Sequence, residues 1–448
     1  MSSSSASKPA SPNRFPGIYS AVRRLAAVER GELWPLFWAF AFFFALLCAY
    51  YIIRPIRDEM GIAGGVEHLQ WMFSATFLST LAVVPLFGWV TRRFAVKQFL
   101  PYVYSFLIGN LLLFYILFMS ELRHEYVARA FFIWVSVFNL FIVSVFWSLM
   151  VDIFTSEQAK RLFGVIAAGG TAGALAGPAL TAVLVIHIGT ASLLLISALF
   201  LGWALVCINR LIAGKRSGDT QAIAAATDRR GTAGSSINDK PMGGGIFAGI
   251  RLVLQSSYLA GICLLMLLYT ALATFLYFHQ AHIVRDSIGD PAGRTALFAS
   301  MDFSVNAITL AIQIFLSSRV IRKFGLAGAL LLAPLILGTG LLTLWAVPVL
   351  AVVVAVQILQ RAGNYAIMRP AREILFVVVG TEEKYKAKNF IDTVVYRAGD
   401  LSSAWIYAGL QALGMAASGI ALFALPLAGA CAWLSFKLSR RQEKLAKP

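Results

Sequence analysis

Arginine recurs at helical spacing in stretches of this chain that are otherwise apolar. Tyr50, Arg54 and Arg57, with Asp58 beside it, close one apolar run at intervals that place them on one helix face. Arg361, Asn364, Tyr365, Arg369 and Arg372, followed by Glu373, make a second stripe. A third run carries Asp302, Asn306, Thr309 and Gln313, and a fourth opens with Asp392, Tyr396, Arg397 and Asp400. Arginine stays charged, and its planar fork pairs bidentately with carboxylate or phosphate. Arg54, Arg57, Arg361, Asn364, Tyr365, Arg369 and Arg372 are therefore expected to contact an anionic organic solute. Asp58, Asp302, Glu373, Asp392, Arg397 and Asp400 are expected gate or coupling partners. Each position also has a plainer reading. Arg54 and Arg57 lie near a helix end and can snorkel to an interface. The Arg57–Asp58 and Arg372–Glu373 neighbours can be simple ion pairs, and Asp302 can hold a bundle together as a buried pair.

Such stripes need long apolar helices to carry them, and the composition supplies these. Of 448 residues, 59% are hydrophobic and 13% charged, with a mean hydropathy of +0.76. Soluble domains carry roughly 25% charged residues, so the chain reads as a polytopic, all-α membrane protein. Twelve apolar segments, near residues 33–55, 68–90, 98–119, 127–151, 161–187, 189–211, 252–279, 293–317, 325–345, 347–376, 389–413 and 415–437, are each long enough to cross about 30 Å of hydrocarbon. Residues 1–32 read as a polar tail and a basic amphipathic helix, and 33–211 as a first six-helix bundle. Residues 212–251 read as a linker, 252–437 as a second six-helix bundle, and 438–448 as a basic tail. Ionisable residues inside such spans are costly and mark function by default.

The net charge of +17 does not signal nucleic acid, because it is concentrated in alternate loops. About 28 of the Lys and Arg residues fall in one set of loops and tails and about 6 in the other. By the positive-inside rule both termini are cytoplasmic. The expected setting is a bacterial inner membrane, with the lipid bilayer and a small anionic solute as partners and a monomer as the working unit. No secretory signal is read at the start of the chain.

The two halves also echo one another. Arg57-Asp58 recurs as Arg285-Asp286, Arg92-Arg93-Phe94 as Arg322-Lys323-Phe324, and Thr155 to Lys160 as Thr381 to Lys386. Duplicated bundles with a midplane site are a common build for secondary transporters. Gly169, Gly173 and Gly177 recur every four residues, a pattern that lets helices pack closely. Their surroundings also partly match an antiporter signature. His279 and His282, near a helix end, can relay protons or simply hold hydrogen bonds. The four cysteines lack metal-ligand spacing and read as small apolar residues. With no phosphate loop, zinc spacing or nucleophile elbow, no enzyme, metal or cofactor is expected.

Six plus six helices around a basic central loop, with worn basic loops at Gly88–Arg93 and Ser318–Lys323, resemble the major facilitator superfamily. That resemblance implies a central cavity lined by helices 1, 4, 7 and 10, with the stripes of helices 1 and 10 facing each other across it. Three stretches further resemble the ATP/ADP translocases, nucleotide transporters of plastids and intracellular bacteria, and their broader bacterial relatives. They are "YYIIRPIRDEMG", "FWSLMVDIFTSEQAKRLFGVIAAGG" and "RPAREILFVVVGTEEKYKAKNFIDTVVYRAGD". The matching positions are Arg57 and Asp58; Glu157, Ala159, Lys160 and Arg161; and Pro370, Arg372, Glu373, Lys386, Lys388 and Asp392. The resemblance implies binding roles for Arg57 and Arg372. The chain departs from the family where an early helix 4 glutamate is absent, Asn139 being the nearest polar group. It departs again in carrying Arg, not Lys, at 57 and 372. The implied substrate is thus an organic anion, phosphorylated ones included, with its identity open. Two alternatives stand beside this reading: a proton-coupled exporter of amphipathic compounds, and a membrane sensor or accessory protein that moves nothing.

Overall fold

The computed structural model describes residues 28–93, 96–120, 124–227, 246–380 and 387–446. It is all-helical, with no strand among the described residues. The helices are α1 (Leu33–Ala63), α2 (Leu69–Arg93), α3 (Val96–Met119), α4 (His124–Ile153), α5 (Ser156–Thr227), α6 (Ile246–Gln255), α7 (Ser257–Ser287) and α8 (Pro291–Phe315). They continue with α9 (Ser317–Ala346), α10 (Leu350–Gly363), α11 (Arg369–Leu375), α12 (Tyr396–Ala412), α13 (Ala417–Phe423) and α14 (Leu425–Leu445). Among the described residues ten helical stretches are long and apolar enough to cross a membrane. One of them, in α5, turns at Gly189 (φ 74°). Only glycine adopts that conformation readily, so α5 has two arms. Gly325 (φ 66°) likewise separates the basic start of α9 from its apolar length. The stretch from 387 through α12 is helical as well, but Arg397 and Asp400 lower its hydropathy.

Two apolar cores account for the packing. One gathers buried residues from Val28 to Leu211. The other gathers those from Val253 to Leu438, joined by Ile62, Val66, Leu69, Met72 and Phe132. The glycine row of α5 lies against α1 with no side chain between the two. A Cβ at Gly169 would come within 2.6 Å of the Phe40 carbonyl and one at Gly177 within 2.7 Å of that of Cys48; at Gly173 it would collide with the Phe44 carbonyl. Helix packing is therefore what this row does.

Some boundaries differ from the sequence reading. The second arm of α5 runs to Thr227, well into the expected linker. Its residues 221–227, "QAIAAAT", are mostly strong helix formers, Gln and four Ala, that composition alone reads as linker. The basic tail from 438 is helical to Leu445. Only the end of the expected amphipathic helix is described, as a short 3₁₀ turn, Arg30–Glu32. The middle of the linker, residues 228–245, and Thr381–Lys386 lie outside the described residues.

Two prolines explain hydrogen bonds that tie helices together. Pro178 has no N–H for the carbonyl of Ala174, four residues earlier. The Asn306 side-chain amide of α8 donates to that carbonyl at 2.7 Å, across the two halves of the chain. Pro370 leaves the carbonyl of Ala366 in the same state, and the Ser317 hydroxyl donates to it at 2.7 Å. This second carbonyl sits in a π-helical turn, Asn364–Met368, that joins α10 to α11. A second π turn, Ile391–Val395, leads into α12. Asn306→Ala is expected to cost about 1–3 kcal/mol, because it strands a buried carbonyl. Thermal unfolding in detergent, against the exposed control Ser300→Ala, measures it. An unchanged midpoint would mean that the carbonyl finds another donor.

Candidate functional site

Three of the predicted residues, on three helices, meet in one cluster. Asp302 of α8 is 1% exposed. Its Oδ1 accepts a hydrogen bond from Nη2 of Arg361 on α10 at 2.5 Å and lies 3.6 Å from Nη1 of Arg54 on α1. The guanidinium of Arg54 also lies 5.6 Å from the centre of the Tyr51 ring. Burying a charge is expensive unless it is paired, and here two cations share one carboxylate. Capacity is left over: Oδ2 of Asp302 and Nε of Arg361 are buried without a hydrogen-bond partner. The cluster therefore carries one surplus positive charge and unused polar atoms, a combination that attracts an anion.

Arg57 and Asp58 pair with each other, Nη2 to Oδ1 at 2.5 Å and Nε to Oδ1 at 3.0 Å. The Arg57 guanidinium sits 5.5 Å from the Phe132 ring centre, and the Tyr277 hydroxyl of α7 donates to Asp58 at 3.4 Å. One residue further along, Glu59 is fully buried and takes a two-pronged bond from Arg294 of α8, at 2.6 and 2.7 Å. Above it Glu67 pairs with Arg285 at 2.7 Å, in an exposed position. Both pairs join the halves of the chain at the same end of the bundle. Glu59 and Arg294 were missed from sequence. The only available signal was Glu59 completing the run Arg57-Asp58-Glu59, since Arg294 stands alone among small residues.

Tyr365 lies near enough to Arg54, Arg361 and Asp302 to interact with them electrostatically, and the other remaining predicted residues lie apart from the cluster. Arg372 is largely buried and lies 2.9 Å from Asp392, close but off the hydrogen-bonding direction; its Nη1 is 2.8 Å from Sδ of Met266. Glu373 pairs with Lys388 at 2.5 Å rather than with Arg372. Arg397 and Asp400 form a looser pair at 3.8 Å, and the Thr274 hydroxyl reaches Asp400 at 3.4 Å. Arg369 is exposed, with its guanidinium 5.9 Å from the Tyr365 ring centre. Asn364 and Tyr365 fall in the first π turn, a feature frequent at functional sites. Arg372 stands eleven residues beyond Arg361, about 16 Å along the helix, whereas Arg57 lies on the other side of the Arg54 level. Arg57 and Arg372 thus do not surround one point.

A cleft of about 330 Å³ opens between α1, α4, α5 and α8. Tyr50, Tyr51, Asn139, Asn306, Thr309 and Gln313 line it, and no charged side chain does. Tyr50 and Arg54, and likewise Asn306 and Asp302, are four residues apart, so the charged cluster sits one helical turn beyond this neutral wall. Both ring nitrogens of His279 lie beside backbone carbonyls, Nδ1 2.9 Å from that of Phe275 and Nε2 2.6 Å from that of Ala417, and the nitrogen that carries the proton donates. At the other end of α1, just outside the apolar stretch, Arg161 donates to Glu32 at 2.7 and 3.2 Å. Burial alone would raise the Glu32 pKa. The Glu29 N–H, the Gln158 amide and Arg161 outweigh burial and hold it below the ordinary glutamate value. Arg161, part of the translocase-like stretch, thus fastens the start of α5 to the start of α1.

Residues 33–372 match the family model of the Major Facilitator Superfamily. The chain belongs to that superfamily. Its spanning helices and their arrangement are those of a membrane transporter. Part of it resembles ADP,ATP carrier protein 1 of Chlamydia muridarum, at 28% identity over 178 residues, 35% of this chain and 34% of that protein. A second relative, ADP,ATP carrier protein 1 of Chlamydia pneumoniae, is 32% identical over 131 residues, a quarter of each chain. The chain matches about a third or less of the length of these relatives. Among solved structures, a peptide transporter POT in complex with sulfate is similar at a TM-score of 0.61 and 12% identity, over 95% of this chain and 99% of that one. A bacterial homolog of the human lysosomal transporter Spinster, inward-facing and unoccupied, gives 0.55 and 14%, over 93% and 99%. At these identities the likeness is one of fold.

Proposed function

We propose that this superfamily member is a secondary active transporter of an anionic organic solute. Its twelve spans form two pseudo-symmetric bundles of six, which rock about a central site. The observation that carries this reading is the buried Arg54–Asp302–Arg361 cluster, which draws one cation from each half and keeps surplus positive charge. The neutral cleft beside it, walled by tyrosines and amides, suits the uncharged part of such a solute. The partial likeness to ADP,ATP carriers supports a phosphorylated, nucleotide-like substrate. Arg57 and Arg372, at different levels, serve as successive contacts along the path, with exposed Arg369 drawing anions toward the cleft. Asp58, Glu373, Asp392, Arg397 and Asp400 serve as gate partners. The protein sits in a bacterial inner membrane as a monomer, with its termini and the cleft mouth on the cytoplasmic side. In this arrangement the Glu59–Arg294 and Glu67–Arg285 pairs close the outer face.

Counterflow in proteoliposomes tests the reading. Vesicles preloaded with nucleotides, sugar phosphates or organic acids are expected to exchange at least one labelled anion and no organic cation. Flux of cations alone, or ligand-dependent stabilisation with no flux of any solute, would discard it.

A further inference from the structure

We infer that Asp302 sets the charge that the site accepts: its carboxylate is a resident counter-anion, leaving the guanidinium pair fitted to one singly charged group. This rests on the transporter reading above and narrows it: among phosphorylated solutes, the site takes a singly charged phosphate, such as a diester or an inner nucleotide phosphate, and not a terminal dianionic one. Arg54 and Arg361 together offer two positive charges, and Asp302, 2.5 Å from one and 3.6 Å from the other, cancels one. Most neighbouring charges cancel among themselves, and the unpaired Arg369 is exposed and stands eight residues, about 12 Å of helix, beyond Arg361. Arg57 is matched by Asp58, Arg294 by Glu59 and Arg397 by Asp400. One positive charge therefore remains in a setting where Asp302 is 1% exposed and water screens little. A monoanionic group balances that charge. A dianion overshoots it and leaves net negative charge in the interior, which is costly.

The hydrogen bonding also leaves donors for a guest that enters from the adjoining cleft. Arg361 uses Nη2 on Asp302 while its Nε has no partner, and Oδ2 of Asp302 is equally unused. A guanidinium has five donors, so a small oxyanion can bind both arginines while the carboxylate stays in place. A purely structural Asp302 would hold the three helices together and confer no charge preference.

The test uses sulfate and methyl sulfate, which share their oxygen chemistry and differ by one charge. Both are titrated against the purified full chain at matched ionic strength, with thermal stability as the readout. The wild type is expected to favour methyl sulfate. Asp302→Asn leaves two uncancelled cations, and its preference should invert toward sulfate by about tenfold or more in apparent affinity. The double variant Asp302→Asn/Arg361→Gln returns the site to one positive charge and should favour methyl sulfate again. The same preference in all three proteins would overturn the inference. So would an Asp302→Asn protein that stays unfolded even in sulfate while the double variant folds. Because binding is read without flux, a failed inversion alongside intact anion exchange removes only the role of Asp302. Inversion without any exchange strikes the transporter reading instead.

Discussion

Arg361→Ala is expected to abolish anion exchange and to lower stability by about 3 kcal/mol, near the low end for breaking a buried ion pair. The loss comes less from the missing bond than from what stays behind. Asp302 is 1% exposed and keeps only Arg54, at 3.6 Å, as a counter-charge. Adding Asp302→Gln to Arg361→Ala removes the orphaned carboxylate and is expected to restore most of the stability without restoring exchange. Denaturation in detergent and counterflow in vesicles, run on the same preparations, separate the two effects. If the single variant exchanged anions at the wild-type rate, the cluster would be a structural brace and the site would have to lie elsewhere.

Glu59→Gln is expected to open the face that Arg294 now closes. Glu59 is fully buried and Arg294 is 11% exposed, so the pair is of the kind whose disruption costs about 3–5 kcal/mol. A bias of that size moves a two-state equilibrium by a factor of about a hundred to a few thousand. Spin labels on His68 and Ser287, exposed residues flanking the same face, should report a longer distance in the variant. The reciprocal exchange Glu59→Arg/Arg294→Glu should bring the short distance back. The neighbouring Glu67–Arg285 pair is exposed on both sides and adds little, so Glu67→Gln should leave the distance unchanged. Equal distances in the wild type and Glu59→Gln would show that this pair does not govern closure.

How much of this was legible beforehand depends on the kind of signal. Helix periodicity placed Arg54, Asp302 and Arg361 on the inner faces of three helices, because a charge in an apolar run has few other places to go. Their mutual pairing was not legible, since it depends on how α1, α8 and α10 sit against one another and no spacing within a helix encodes that. Glu59 and Arg294 failed for a related reason. Each looks like an interfacial charge beside a loop, and only the fold reveals that they meet. The glycine row of α5 was readable as packing because absent side chains have one evident use. Asn306 read as part of a polar stripe, and its service to the carbonyl behind Pro178 needed coordinates. The π turn at Asn364–Met368 was invisible, although Pro370 and the Ser317 hydroxyl account for part of its hydrogen bonding.

The contact between α1 and α5 also constrains how the molecule moves. Carbonyls of Phe40, Phe44 and Cys48 rest directly on glycines 169, 173 and 177, so neither backbone can slide without steric collision. The two behave as a single beam, and Arg54 and the aromatic wall of the cleft travel with it. Whatever parts Arg54 from Asp302 during a cycle must therefore be a displacement of α8 and its companions relative to that beam.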